Sequence, residues 1–302
     1  MKKIILIIFL CFCYQINNSQ NKKSFDYELI GNLILNTKEL YSYKLEFNSF
    51  ENNYIRGYSY TDLGGENETK SIIRGYYNPK SKKIQFKEND ILYTKSKYLP
   101  EEFCFISFKG TFKEKSKKKM LSGKFVGIYD DNDTCAVGKI LLVSTKFAEK
   151  KIKKIYKKIK RVSKIAKIDS ATKSKLEPKI FLKKFGKTEI KSGDKVSVFV
   201  YNSKIKFDIW DYGIEDGDIV TITQNGIPIL ENFKVTIKRK QFILNLKEKN
   251  NLIKIITVNS GKLKTNTTKL KLYDFRREYE LIANLEEGKA ALINIVKLTV
   301  KK

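Results

Sequence analysis

The feature that most restricts the fold of this chain is an apolar/polar alternation with a period of two. It is carried in short runs from Tyr27 to about Val143, and again from about Phe181 to the C-terminus. A strand sends successive side chains to opposite faces, so runs of this kind encode strands with one face buried. In the first block Tyr43, Leu45 and Phe47 stand against Lys44 and Glu46, and Ile84 and Phe86 against Lys83, Gln85 and Lys87. Further runs lie at Tyr54 to Tyr60, Ile72 to Tyr77, Ile91 to Thr94, Phe103 to Phe112, Leu121 to Tyr129 and Val137 to Val143. Some eight strands spaced about 12 residues apart, with no helical period between them, predict an antiparallel meander over residues 25–143. Closing the meander into an up-and-down barrel removes its exposed edges and is the first expectation; an open sandwich is the second. Gly57, Gly75, Gly123 and Gly138 fall inside strand patterns, where glycine marks bends or bulges of a curved sheet.

The second block, residues 180–302, repeats the alternation. Its runs are Val196 to Tyr201, Ile205 to Trp210, Ile219 to Thr223, Phe233 to Ile237, Phe242 to Leu246, Leu252 to Val258, Thr268 to Tyr273, Glu280 to Ala283 and Ala290 to Val296. Eight or nine short strands in about 115 residues predict a β-sandwich, and Asn225-Gly226 is the strongest hairpin-turn signal in the chain. Between the blocks, over residues 144–179, the period changes. Ile152, Ile155, Tyr156, Ile159, Val162 and Ala166 recur at steps of three and four, which predicts one amphipathic helix followed by a linker ending near Pro178. The other faces of that helix carry Lys150, Lys151, Lys153, Lys154, Lys157, Lys158, Lys160, Arg161, Lys164 and Lys167, opposed by Glu149 alone. The apolar stripe can pack on a neighbouring domain or lie on an anionic membrane with lysines at the headgroups; packing is the expectation, because domain surface is close at hand.

The N-terminus reads as an export signal. Met1, Lys2 and Lys3 precede an uncharged run from Ile4 to Tyr14 and a polar stretch containing Ser19, so residues 1–19 fit a signal peptide with cleavage after Ser19. An apolar run of that length is too short to span a bilayer, and no later segment comes close, so a soluble periplasmic or extracellular protein without a transmembrane span is expected. In an oxidising compartment the two remaining cysteines, Cys104 and Cys135, should form a disulfide. The chain contains no histidine, which removes Ser/His/Asp and Cys/His nucleophile systems and histidine-ligated zinc. Sixty-one Lys+Arg against 33 Asp+Glu give a formal charge of +28, a bias toward anionic partners. Nucleic acid is not expected, since no reader motif accompanies the charge.

In the second block the chain reads Trp210-Asp211-Tyr212-Gly213-Ile214-Glu215-Asp216-Gly217-Asp218, then Asn225-Gly226, then Asn259-Ser260-Gly261 and Asn266-Thr267. Over about the last 100 residues this resembles a small β-sandwich module of secreted Gram-negative bacterial proteins, with the pattern W-D-x-G-x-E-D-G-D…N-G…N-x-G…N-T. The resemblance implies a sandwich fold and an extracytoplasmic setting, with no activity attached. Lys262-Leu263-Lys264-Thr265 is basic where the module usually has prolines. The first block is similar in a general way to secreted lipocalin-like barrels. The interior of such a barrel, lined with Tyr and Phe, either holds a small apolar ligand or is filled by those side chains.

Asp208, Asp211, Glu215, Asp216 and Asp218 place five carboxylates within eleven residues of a basic protein. Hard oxygen donors in a loop suit calcium, but the spacing is not that of the helix-loop-helix calcium loop, and a turn capped by Asp side chains is the favoured reading. Glu101-Glu102 are adjacent carboxylates that a strand would send to opposite sides, so they do not form a glycosidase pair. The sequence therefore predicts an exported, non-catalytic binding or accessory protein of the bacterial envelope or exterior. Its partner would be an anionic surface, a glycan or an envelope protein; the alternative is a carboxylate-dependent glycan hydrolase.

Overall fold

The computed structural model describes residues 25–98, 102–115, 118–162, 188–212, 215–261, 266–275 and 277–299. The expected signal peptide, the linker from Asp169 to Lys179, and Glu101 lie outside them. Eight strands form the first unit: β1 (Tyr27–Leu35), β2 (Leu40–Ser49), β3 (Tyr54–Thr61), β4 (Thr69–Asn78), β5 (Lys83–Thr94), β6 (Phe105–Lys115), β7 (Lys118–Ile128) and β8 (Thr134–Ser144). Each pairs antiparallel with the next, and β1 pairs with β8, so the meander closes into an up-and-down barrel. The runs at Ile84 and at Ile91 belong to one strand, β5.

Inward residues of the alternation meet in a single cluster that includes Tyr43, Phe47, Phe86, Phe108, Phe112 and Leu142. These side chains fill the interior, with Phe86 stacked on Phe108 at 5.0 Å between ring centroids. Two of the expected glycines show why they are there. A Cβ at Gly57 would stand 1.8 Å from the Glu46 carbonyl oxygen, and one at Gly75 2.0 Å from that of Gln85. The backbones of the paired strands, at Glu46-Phe47 and Gln85-Phe86, approach too closely there for any side chain.

The expected disulfide, Cys104 to Cys135, is present, with a Cα–Cα distance of 6.1 Å. It joins the segment entering β6 to β8 and so passes over β7, the strand paired to both. The residue beneath it is Gly127, where a Cβ would lie 2.3 Å from Cys104 Sγ.

The second unit is a sandwich of two five-stranded sheets. One contains β13 (Ile227–Lys234), β12 (Ile219–Gln224), β15 (Asn250–Asn259), β18 (Ala290–Lys297) and β10 (Lys195–Val200) in that order. The other contains β14 (Lys240–Asn245), β11 (Lys204–Asp211), β16 (Asn266–Asp274), β17 (Arg277–Leu285) and β9 (Glu189–Lys191). Strand β9 has only three residues and carries no readable alternation. Strand β13 begins earlier than its pattern suggests because it is an edge strand with two register shifts, where Pro228 removes no needed donor. Asn225 and Gly226 take φ of 52° and 84° and form the two-residue turn between Gln224 and Ile227, as their sequence predicts.

The two units share a sheet. The end of β5 pairs antiparallel with β10 at Thr94↔Ser197 and Tyr93↔Val198, while the parallel pair β10–β18 continues into the sandwich. Barrel residues Ile72, Leu92 and Tyr93 are members of the sandwich core. Lys44 and Glu46, whose alternation predicts a solvent-facing side, are on the outer face but buried. They form an ion pair, Tyr60 donates to Glu46 at 3.0 Å, and neighbouring Tyr58 packs against the sandwich core. A pattern of period two identifies which face a residue is on, not whether a second domain covers that face.

Helix α1 (Thr145–Val162) leaves β8 directly, and its Thr145 hydroxyl donates to the Glu28 carbonyl at 2.9 Å. Its contacts of any extent are with β1 and β8. The packing expected for its stripe is only partial: Ile152, Tyr156 and Ile159 are half-buried, whereas Ile155 is 53% exposed. Lys150, Lys153, Lys154, Lys157, Lys158, Lys160 and Arg161 are exposed, and Lys164 and Ala166 lie outside the described residues. No helix among the described residues is long and apolar enough to cross a membrane.

Two stability outcomes follow from this packing. Gly127→Ala should cost on the order of the 3 to 4 kcal/mol attributed to closing a loop of this size, and the penalty should largely vanish in a Cys104→Ala/Cys135→Ala background. Denaturant titration of the four proteins measures it; equal penalties in both backgrounds would show that something else excludes the methyl group. Ile155→Ala should cost under about 1 kcal/mol, well below the 2 to 5 kcal/mol of a filled core site, as read from the same titrations.

Candidate functional site

Strand β5 has to leave its barrel neighbour β6 to reach β10, and a concavity opens at that divergence. It is a cleft of about 1880 Å³ between the two units. Its floor is apolar: Ile91, Phe199 and Val296 form a small buried cluster, with Phe105 and Leu298 packed against it. Its walls are charged, with eight Lys or Arg residues against four Asp or Glu. Lys97, Lys195 and Lys249 are exposed on the rim, as is the ring of Tyr98.

One wall is held by a cross-domain lock. The Asp90 carboxylate of β5 accepts from the Tyr201 hydroxyl at 3.1 Å and pairs with the Arg277 guanidinium of β17, which also stacks over the Tyr201 ring at 4.4 Å. Asp194 caps its own turn by accepting from the Lys191 N–H at 2.9 Å and lies 4.0 Å from Lys95, whose ammonium also donates to the Glu189 carbonyl at 2.6 Å. These two carboxylates are held by structural partners, an arrangement unlike a free acid and base poised across a substrate.

Below the cleft, within the barrel, lies a carboxylate that the sequence reading missed. Glu88 continues the inward phase of Ile84 and Phe86, and a register shift between Ile72 and Ile73 then lets β5 turn toward the sandwich. Its Oε1 accepts from Tyr43 at 2.9 Å and Ser59 at 2.5 Å, and its Oε2 accepts from the Ile106 N–H at 2.9 Å. Burial raises its pKa above the ordinary 4.5, although the bonds from Ser59, Ile106 and Tyr43 pull it down. Strict alternation was the available signal: Glu88 is an acid at an apolar position.

The second candidate is the acidic turn after β11. The structure brings together three of the five sequence candidates: one carboxylate oxygen each from Asp211, Asp216 and Asp218 lies within 4.8 Å of the other two. Asp208 points elsewhere and accepts from Gln241 at 2.6 Å, and Glu215 accepts from the Ile237 N–H at 3.3 Å. Asp218 Oδ2 accepts from the Thr267 N–H at 3.3 Å, and the Tyr212 N–H donates to the Thr267 carbonyl at 3.1 Å. Gly261, at φ 61°, packs so closely that a Cβ would lie 2.5 Å from Asp216 Oδ1. The W-D, D-G-D, N-x-G and N-T pieces of the sequence pattern therefore converge at one corner of the sandwich. Burial and the neighbouring Asp216 charge raise the Asp218 pKa to about 7, with the Thr267 N–H opposing. Trp210 is buried beside this corner, under Arg239 at 4.5 Å.

Comparison with protein-family models, with curated proteins and with solved structures finds no match to this chain.

The raised pKa of Glu88 has a definite sign. The folded state holds the proton more tightly than the unfolded chain, so this contribution is complete below the unfolded pKa of about 4.5 and is lost as pH rises through the folded value. Glu88→Gln should flatten the fall in stability just above pH 4.5, measured as denaturation midpoints across pH; an unchanged slope would assign the fall to other groups.

Proposed function

We propose that this chain is an exported, non-catalytic binding protein that holds an anionic glycan in the cleft between its two units. The observation that carries the reading is the cleft itself, about 1880 Å³ with an apolar floor, a basic majority on its walls and a tyrosine ring on its rim. A chain of sugar rings bearing carboxylates or sulfates offers apolar faces and fixed negative charge in one molecule. The floor and Tyr98 suit the former, and Lys97, Lys195 and Lys249 the latter. Export is supported by the charged-then-apolar N-terminus and by the disulfide, and the secreted-module resemblance of the sandwich points the same way. The absence of histidine and the structural partners of Asp90 and Asp194 favour a binder over a hydrolase.

The test uses polygalacturonate and its methyl ester, which share a backbone and differ in charge. Calorimetry should show saturable binding of the acid form, weakened at least tenfold by Lys195→Glu combined with Lys249→Glu and weakened by salt, with little binding of the ester. Equal binding of both forms, or no effect of the two substitutions, would overturn the assignment. Release of reducing ends during the titration would overturn its non-catalytic part.

A further inference from the structure

The acidic corner carries an inference independent of the cleft. Donors around one calcium ion lie 2.3 to 2.6 Å from it, so any two are at most about 5 Å apart. The Asp211, Asp216 and Asp218 oxygens, all within 4.8 Å of one another, meet that limit. A second observation concerns Asp218 alone. The residue is 2% exposed, its Oδ2 has the Thr267 N–H, and its Oδ1 is shielded from solvent without a hydrogen-bond donor. A buried carboxylate oxygen left in that state is costly, and what it lacks is a positive partner at close range.

We propose that Asp211, Asp216 and Asp218 bind a single calcium ion at this corner of the sandwich. Oxygen-only donors exclude the softer transition metals as the preferred guest. Burial separates calcium from magnesium: Asp211 is 4% and Asp218 2% exposed, which suits a cation that sheds its water, whereas magnesium keeps several waters and demands octahedral geometry. Asp211 ends β11, Asp218 immediately precedes β12, and Asp218 is bonded to Thr267 of β16. An ion there ties one strand of each sheet to the turn between them. Asp216, half-buried and packed against Gly261, closes the site from outside.

The full mature chain, stripped with chelator, is titrated with terbium. The single Trp210 and Tyr212 flank Asp211 and serve as the built-in sensitisers. The expected result is saturable emission at one ion per chain, displaced by calcium and not by equal magnesium, together with a calcium-dependent rise of several degrees in Tm. Asp216→Asn should weaken binding at least tenfold. Glu215→Gln, in the same turn but bonded to the Ile237 N–H, should leave it unchanged. Should Asp218→Asn fail to fold, the half-buried Asp216 still supplies the decisive variant. Emission that does not saturate, a Tm unmoved by millimolar calcium, or equal losses from the Glu215 and Asp216 variants would each overturn the site in favour of a turn held by shared protons or a diffuse acidic surface.

Discussion

The architecture depends on one strand serving two domains. The first part of β5, Lys83 to Lys87, pairs with β6 and closes the barrel, while Tyr93 and Thr94 pair with β10 and start the sandwich. A single straight strand could not do both, because it would have to run beside β6 along its whole length. Two register shifts in the β4–β5 ladder supply the bend, as bulges do at the rims of barrels. The cleft is the space left where β6 and β10 take different parts of the same strand, so its floor includes β5 residue Ile91, β6 residue Phe105 and β10 residue Phe199.

Charge is distributed by the same folding. Many of the carboxylates are used internally: Glu88 inside the barrel, Glu46 beneath the sandwich, Glu68 accepting from Tyr93 and from the Gly64 N–H, and Asp274 accepting from the N–H groups of Tyr201 and Asn202. Buried carboxylates are retained where donors converge on them, whereas lysines, with long stems and strongly hydrated heads, are mostly on the surface, Lys44 in its ion pair with Glu46 being an exception. Withdrawing Glu68, Glu88 and Asp274 from solvent leaves fewer acids on the surface to offset the basic excess of the sequence.

The barrel was legible because its strands are long and its inner face is uniformly apolar, so that Tyr43, Leu45 and Phe47 announce both strand and orientation. The disulfide was legible by elimination of partners. The docking of the two units was not, because the residues that carry it look ordinary in sequence: Ile72, Leu92 and Tyr93 read as barrel residues but belong to the sandwich core. Gly127 carries no signal of its own in the sequence, yet a side chain there would collide with the disulfide that crosses its strand. Of the acidic turn, the sequence shows five carboxylates within eleven residues, and only backbone direction selects Asp211, Asp216 and Asp218 while sending Asp208 to Gln241. Thr267 and Gly261, some fifty residues away, complete that corner through a β-pairing whose partner the local pattern does not name.

The shared strand also settles how the cleft can work. A shared ladder, a shared core, the Asp90–Arg277 pair, the Tyr93–Thr188 hydroxyl contact and the Lys95 bond to the Glu189 carbonyl all cross from barrel to sandwich. Domains joined only by a linker and a small polar interface move relative to one another, but here hinge closure would break a β-ladder and open an apolar core. The cleft is therefore preformed. On the proposed glycan reading, selection would rest on fit to fixed walls and fixed charge, with little binding energy spent on reorganising the protein. On that reading a stiff ligand with regularly spaced charges would be favoured over a flexible one, because ordering a flexible ligand on arrival costs conformational entropy.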